Sequence, residues 1–169
     1  ALTGPDGLDD DTLSETVTEL MRFRSLLDAK AASFVARWDA RVLWANDGSK
    51  APGARLARDV GCRRQTTNRA VHTARSTRSM PLVSAAWQTG DISTDHVERL
   101  TRAATPERAA DFTAVEEHLV TVATTADWTT FERTVAMFET ASDDAHNDPT
   151  NPDDLDRRGA RLGELAGDA

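Results

Sequence analysis

The sequence contains one cysteine, Cys62, and no tyrosine. A single cysteine excludes an intramolecular disulfide and a zinc site built from several thiolates. No run of about 18 apolar residues is present to cross a membrane, and no basic segment followed by an apolar stretch begins the chain as a secretion signal. A glycine-rich loop for binding phosphate is also missing. From these absences we expect a cytoplasmic protein without a membrane span, a metal site or a cofactor.

The sequence also lacks clusters of valine, isoleucine and aromatic residues, which favour strands. Alanine, leucine, arginine and glutamate, which favour helices, are frequent. We therefore predict an all-α bundle of six or seven helices over residues 11–145, with a long first helix. Residues 1–10 are predicted to be disordered. Residues 146–169 are predicted to form an acidic linker or tail that leads to an absent C-terminal domain.

The first helix is predicted to start with a capping box at Thr12 and Glu15 and to run to about Trp44. Its apolar residues recur at alternating steps of four and three, and only Arg24 interrupts the series. This seam consists of Leu13, Val17, Leu20, Leu27, Ala31, Phe34 and Trp38. Two readings stay open: the seam packs inside the bundle, or it forms a dimerising coiled coil. In the second reading the dimer interface comprises Leu13, Val17, Leu20, Leu27 and Phe34.

The charge of the chain is unevenly distributed. The formal net charge is −8, yet residues 50–90 contain eight basic side chains and a single acidic one, Asp59. The net charge of +7 in this stretch leaves −15 for the rest of the chain. A GC-rich genome, which favours arginine codons, would also explain many arginines. The asymmetry nevertheless predicts a local face that binds anions.

The same stretch has the pattern of a helix-turn-helix. A short first helix is predicted to pack through Leu56, Ala57 and Val60, and Gly61 supplies the left-handed turn. The second helix is predicted from Arg63 to about Met80. Its packed face would consist of small and branched residues at helical spacing, namely Thr67, Ala70, Val71 and Ala74.

The opposite stripe of the second helix carries polar and basic side chains. Glutamine and asparagine side chains can form two hydrogen bonds with adenine, whereas arginine can bind guanine or phosphate. We therefore predict that double-stranded DNA is bound by Arg63, Arg64, Gln65, Asn68, Arg69, His72 and Arg75. The alternatives are a solvated face of a helical bundle and a surface for a protein or RNA partner.

Two segments, "GARLARDVGCRRQTTNRAVHTAR" and "MPLVSAAWQTGDISTDHVERLTRA", resemble the core of a bacterial family called the domain of unknown function 222, or 13E12-repeat group. The matching features are the Leu56-Ala57 pair, Gly61, Pro81 and the step from Gly90 to Ser93. The resemblance covers residues 12–145. It implies a helical domain that usually precedes an HNH endonuclease domain, often in genes of mobile-element type.

No nuclease is expected within this chain itself. A histidine-metal nuclease needs a general-base histidine close to metal-binding residues, whereas the four histidines are scattered, at His72, His96, His118 and His146. We therefore predict a DNA-binding or DNA-targeting module that is not an enzyme. The competing prediction is a helical module that dimerises or binds a protein partner without contacting nucleic acid.

Overall fold

The computed structural model describes residues 4–146, so all of the predicted acidic tail except His146 lies outside the described residues. Within this range the chain forms seven α-helices and no strand, which confirms the all-α prediction. The helices are α1 (Asp10–Ala40), α2 (Pro52–Val60), α3 (Arg64–Ser76), α4 (Pro81–Thr89), α5 (Thr94–Ala103), α6 (Ala109–Thr125) and α7 (Trp128–His146). None of these helices in residues 4–146 is long and apolar enough to span a bilayer.

The two ends of α1 differ from the prediction. Asp9, rather than Thr12, is the N-cap, and its side chain accepts a hydrogen bond of 2.9 Å from the Thr12 N–H. The helix ends at Ala40 because Val42 adopts a left-handed conformation with φ of 53°. The stretch predicted to be disordered contains a 3-10 turn at Pro5–Gly7, and Asp10 already belongs to α1.

The main hydrophobic core lies among α4, α5, α6 and α7, with the middle of α1 packed against it. Apolar side chains from all five helices meet there, and most are almost completely inaccessible to solvent. The largest contributions come from Trp87, Leu100, Phe112, Leu119 and Phe131, with Ala29 supplied by α1. Burial of this apolar surface holds the four C-terminal helices and α1 together.

The α2–α3 hairpin packs on α1 through α3, and Arg75 of α3 contacts Asp39 near the end of α1. Gly61 ends α2 with φ of 71°, as predicted. The predicted packing of Val60 is wrong, because its side chain is 69% exposed. The helices instead approach closely at Gly53, where a Cβ atom would collide with Asn68. The Thr67 hydroxyl donates a hydrogen bond of 2.7 Å to the Gly53 carbonyl at this contact.

The second helix of the hairpin is shorter than predicted. It starts at Arg64 and ends at Ser76, where the chain tightens into a 3-10 turn over Thr77–Ser79. On its packed face Thr67, Val71 and Ala74 are buried as predicted. Ala70 is exposed and Thr73 is buried in its place, because α3 turns a second side towards α1 and α5.

The N-terminus of α5 contains a reciprocal capping box, in which Ser93 and His96 each bond to the other's backbone N–H. The His96 Nδ1 atom accepts from the Ser93 N–H at 3.2 Å. The ring centroid lies 5.1 Å from that of Trp128 and 4.7 Å from that of Phe131, which ties α5 to α7. Burial lowers the pKa of His96, and Asp95 opposes this shift.

This environment predicts a loss of stability in mild acid. The unfolded chain takes up the histidine proton near pH 6.5, whereas the folded chain takes it up only at lower pH, so protonation favours unfolding. His96→Gln cannot titrate but keeps a residue that suits this capping position. We expect urea unfolding to show a smaller loss of stability between pH 7.5 and 5.5 for this variant than for the wild type. His118→Gln, an exposed site on α6, should behave like the wild type, and equal acid sensitivity of all three proteins would contradict the assignment.

Candidate nucleic-acid interface

All seven side chains predicted to contact DNA are exposed, on α3 or at its N-cap. The buried residues Thr67, Val71 and Ala74 lie on the opposite side of the helix. The structure therefore brings the predicted stripe together on one surface. The seven side chains differ, however, in how far other residues engage them.

Arg75 is held in an ion pair with Asp39, at the C-terminal end of α1. Its Nε and one terminal nitrogen donate hydrogen bonds of 2.7 and 2.8 Å to the two carboxylate oxygens. Asp39 is only 8% exposed, so its charge depends on this partner. The hydrogen bonds from Arg75 lower the pKa of the Asp39 carboxyl despite its burial. Arg75 thus anchors the C-terminal end of α3 to α1.

Two further side chains of the stripe also have neighbours. The Asn68 side chain lies over Gly53 and closes the contact between α2 and α3. A terminal nitrogen of Arg69 lies 3.6 Å from a carboxylate oxygen of Glu98 on α5. Within the described residues, the side chains of Arg63, Arg64, Gln65 and His72 form no hydrogen bond or ion pair with another residue. Three of these four side chains, those of Arg63, Arg64 and Gln65, thus lie at the start of α3.

Ion pairs in the folded chain neutralise part of the positive charge of residues 50–90. Arg55 and Arg58 both pair with Asp47 and Asp59, which ties α2 to the loop before it. The acids that neutralise this stretch come largely from outside it, since Asp39, Asp47 and Glu98 belong to other parts of the chain. Within the described residues the start of α3 therefore keeps two unpaired arginines, Arg63 and Arg64, while Lys50 and Arg78 are also unpaired but lie before α2 and after α3.

The start of α3 lacks the usual complement to the helix dipole. Arg63 is the N-cap, no side chain caps the helix, and no acidic residue occupies the first turn. Side chains of Asp9, Ser93 and Asp127 cap α1, α5 and α7, and Glu116 accepts hydrogen bonds from two N–H groups at the start of α4. The helices α2 and α6 also lack a side-chain cap, but α2 begins with a proline and α6 has Asp111 in its first turn. Free N–H groups beside two arginines can bind an oxyanion such as phosphate.

A groove of about 1090 Å³ borders this helix start. It lies between α1, α3 and the junction of α4 with α5. Basic side chains reach it from two helices, namely Arg22 and Arg24 of α1 and Arg63 and Arg69 near the start of α3. Four acidic side chains line it as well, namely Asp28 of α1, Asp91 between α4 and α5, and Asp95 and Glu98 of α5. Arg22 and Arg24 were not among the residues predicted to bind DNA, because nothing in their spacing indicates that α1 passes beside α3.

A metal site built from side chains requires several ligating residues close together. Residues 4–146 contain no group of three or more histidine, cysteine, aspartate or glutamate side chains arranged to hold a metal ion. Cys62 is exposed in the turn before α3 and is a free thiol.

Fold and site together define an all-α bundle that exposes a basic helix start on a helical hairpin. The chain belongs to the family described as a domain of unknown function (DUF222), whose model matches residues 14–168. This match confirms the resemblance seen in the sequence. No curated protein and no solved structure matches the chain.

The basic start of α3 should lower the stability of the fold. Arg63 has an extended backbone with φ of −66° and ψ of 135°, which suits a capping aspartate. Arg63→Asp is therefore expected to raise the free energy of unfolding by about 1 kcal/mol, through the new cap and a better fit to the dipole. Arg133→Asp, in the interior of α7, should give no such gain in urea unfolding. A destabilised Arg63→Asp variant would show that Arg63 already stabilises the fold.

Proposed function

We propose that this chain is a DNA-binding module that docks on duplex DNA through the N-terminal half of α3. The observation that carries the proposal is the uncapped, arginine-rich start of this helix. Helix capping and the helix dipole favour an acidic, amide or hydroxyl side chain there over an arginine. A local violation of this kind is expected where function, rather than stability, selects the residues.

The arrangement of α2 and α3 supports docking as a helix-turn-helix. Residues 61–63 separate the two helices, which is a turn of the length that such motifs use. In that motif the N-terminal residues of the second helix approach the base edges. Under this proposal Arg63 and Arg64 bind phosphate or guanine, while Gln65 and His72 face the bases.

The remaining members of the predicted set receive supporting roles in this proposal. Arg75 orients α3 through Asp39, and Asn68 maintains the close contact with α2 at Gly53. Arg69 stands beside Glu98 and shares its charge with that carboxylate. Arg22 and Arg24 extend the basic surface from α1 across the groove.

The acidic body of the protein supports an oriented approach to DNA. The formal charge of the whole chain is −8, so most of its surface repels a phosphate backbone. Only a locally basic face can then dock. We further propose that the chain works in the cytoplasm and without catalysis of its own, and that it targets DNA for an HNH endonuclease domain as part of a mobile-element or defence system. The family resemblance alone motivates the nuclease partner.

A salt titration of duplex binding tests the proposal. If Arg22, Arg24, Arg63 and Arg64 neutralise about four phosphates, the slope of log affinity against log salt should be near −3.6. Arg64→Ala should weaken binding to all sequences and flatten this slope by about one unit. Gln65→Ala should cost about 1–3 kcal/mol on a preferred site and little on other sequences.

The matched control is Arg133→Ala, which removes an exposed arginine from α7. It should leave both affinity and slope unchanged. Lack of duplex binding at low salt would reduce the start of α3 to a solvated face of the bundle. Preference for single-stranded RNA over the duplex would replace the DNA proposal with an RNA one.

We propose, as a second candidate function, self-association through the exposed seam of α1. Leu20, Leu27 and Phe34 are 61%, 55% and 67% exposed, and Val17 is exposed as well. These side chains therefore do not pack within the bundle, although the first of the two readings of the seam required such packing. Large apolar side chains grouped on a free helix face are typical of a protein interface.

Light scattering at tens of micromolar should give the mass of a dimer for the wild type. Leu20→Glu combined with Leu27→Glu should give a monomer that keeps its helical circular dichroism, because these side chains contact little in their own chain. Met137→Glu alters a side chain on α7 that is 66% exposed and should remain dimeric. A monomeric wild type would refute self-association.

A further inference from the structure

We infer that α1 pairs with α1 of a second copy in the antiparallel direction, centred between Ser25 and Leu26. This inference rests on the second candidate function, self-association through α1, and adds the direction and register of the pair.

The free face of α1 is directly opposite the face that packs on the bundle. Ala29 and Asp39 are buried, and Ala32 and Ala36 beside them are half-buried. A helix turns by about 100° per residue, which places Leu27 and Phe34 about half a turn away from that face. The seam consequently points away from the core of its own chain, and a second helix can lie along it.

The seam has coiled-coil positions that complement each other only in certain registers. Leu13, Leu20, Leu27 and Phe34 recur every seven residues and occupy d positions, and Val17, Arg24, Ala31 and Trp38 occupy a positions. Antiparallel pairing about a point between residues 25 and 26 matches every d residue with an a residue of the second copy. The resulting layers are Leu13 with Trp38, Val17 with Phe34, Leu20 with Ala31, and Arg24 with Leu27.

These layers fit in size and polarity. Leucine meets alanine in one layer and phenylalanine meets valine in another, so that large and small side chains alternate along the pair. Arg24 can lay its aliphatic stem on Leu27 of the second copy while its guanidinium reaches solvent. In a parallel dimer the two Arg24 side chains would instead share one layer and repel each other.

The charge along α1 also favours the antiparallel direction. The first part of the helix carries Asp10, Asp11, Glu15 and Glu19 and no basic residue. The second part carries four basic residues, Arg22, Arg24, Lys30 and Arg37, against Asp28 and Asp39, and the charge of Asp39 is already matched by Arg75, so this part is net positive. Antiparallel pairing sets the acidic part of each copy beside the basic part of the other, whereas parallel pairing sets acid beside acid.

The N-terminal part of α1 has the most to gain from this arrangement. No side chain among residues 10–24 is buried in its own chain. An isolated helix of this length is only marginally stable in water. In the antiparallel pair, the second half of α1 from the other copy covers this segment.

Cysteine cross-linking separates the possible arrangements. Cys62→Ser removes the free thiol, and Leu20→Cys and Ala31→Cys are then introduced into separate chains. With a short bis-maleimide, a mixture of the two chains should yield a covalent dimer, while either chain alone should not. In the antiparallel pair two copies of residue 20 are about 16 Å apart along the helix axis. Cross-linking of Leu20→Cys with itself would overturn the inference in favour of a parallel pair.

A second layer and a mismatched pair complete the experiment. Val17→Cys should cross-link with Phe34→Cys, and Leu13→Cys with Ala31→Cys should not, because these residues are offset by about 10 Å. Helical circular dichroism confirms that each variant is folded. A dimer that cross-links in another register overturns this inference and leaves self-association standing, whereas a monomer overturns both. Duplex binding by the Leu13→Cys and Leu20→Cys chains, whose substituted side chains do not line the groove beside α3, reports on the DNA proposal separately.

Discussion

The ion pair between Asp39 and Arg75 determines how α3 is presented. Asp39 is buried where α1 ends, and a buried carboxylate requires a partner that donates to both of its oxygens. Arg75 supplies both hydrogen bonds and fixes the C-terminal end of α3. Val71 and Ala74 pack on the side of the helix that faces the protein. The opposite side, with Arg64 and its neighbours, is consequently directed towards solvent.

Ion pairs neutralise several of the arginines in residues 50–90. Arg55, Arg58 and Arg75 are arginines by sequence, but each is matched by a carboxylate that the fold brings close. Arg75 joins α3 to α1, and Arg55 and Arg58 join α2 to the loop before it. Within residues 4–146, the start of α3 keeps two unpaired arginines, Arg63 and Arg64, beside uncapped N–H groups. A small, focused surface of this kind suits a phosphate backbone better than a diffuse excess of positive charge.

The first helix packs on the bundle through one side and carries large apolar residues on the opposite side. Its sequence pattern therefore allows two readings. Ala29 and Asp39 belong to the side that the bundle buries, while Leu20, Leu27 and Phe34 belong to the other. A single heptad pattern shows only that a face is apolar and does not identify what covers it. Small residues on the packed side allow close approach of α3 and α4, and the large residues on the other side are left exposed.

Local rules allowed much of the fold to be predicted from the sequence. Gly61 and Gly90 end helices in left-handed conformations, and Ser93 and Asp127 begin them, since such signals act over four residues. The sequence therefore determined the helical class, several helix ends and the exposed stripe of α3. Only the tertiary structure decided which arginines are paired, that Arg22 and Arg24 line the groove beside α3, and which face of α1 is uncovered. Those features depend on residues far apart in the chain, such as Asp39 and Arg75, and no local spacing encodes which distant side chains meet.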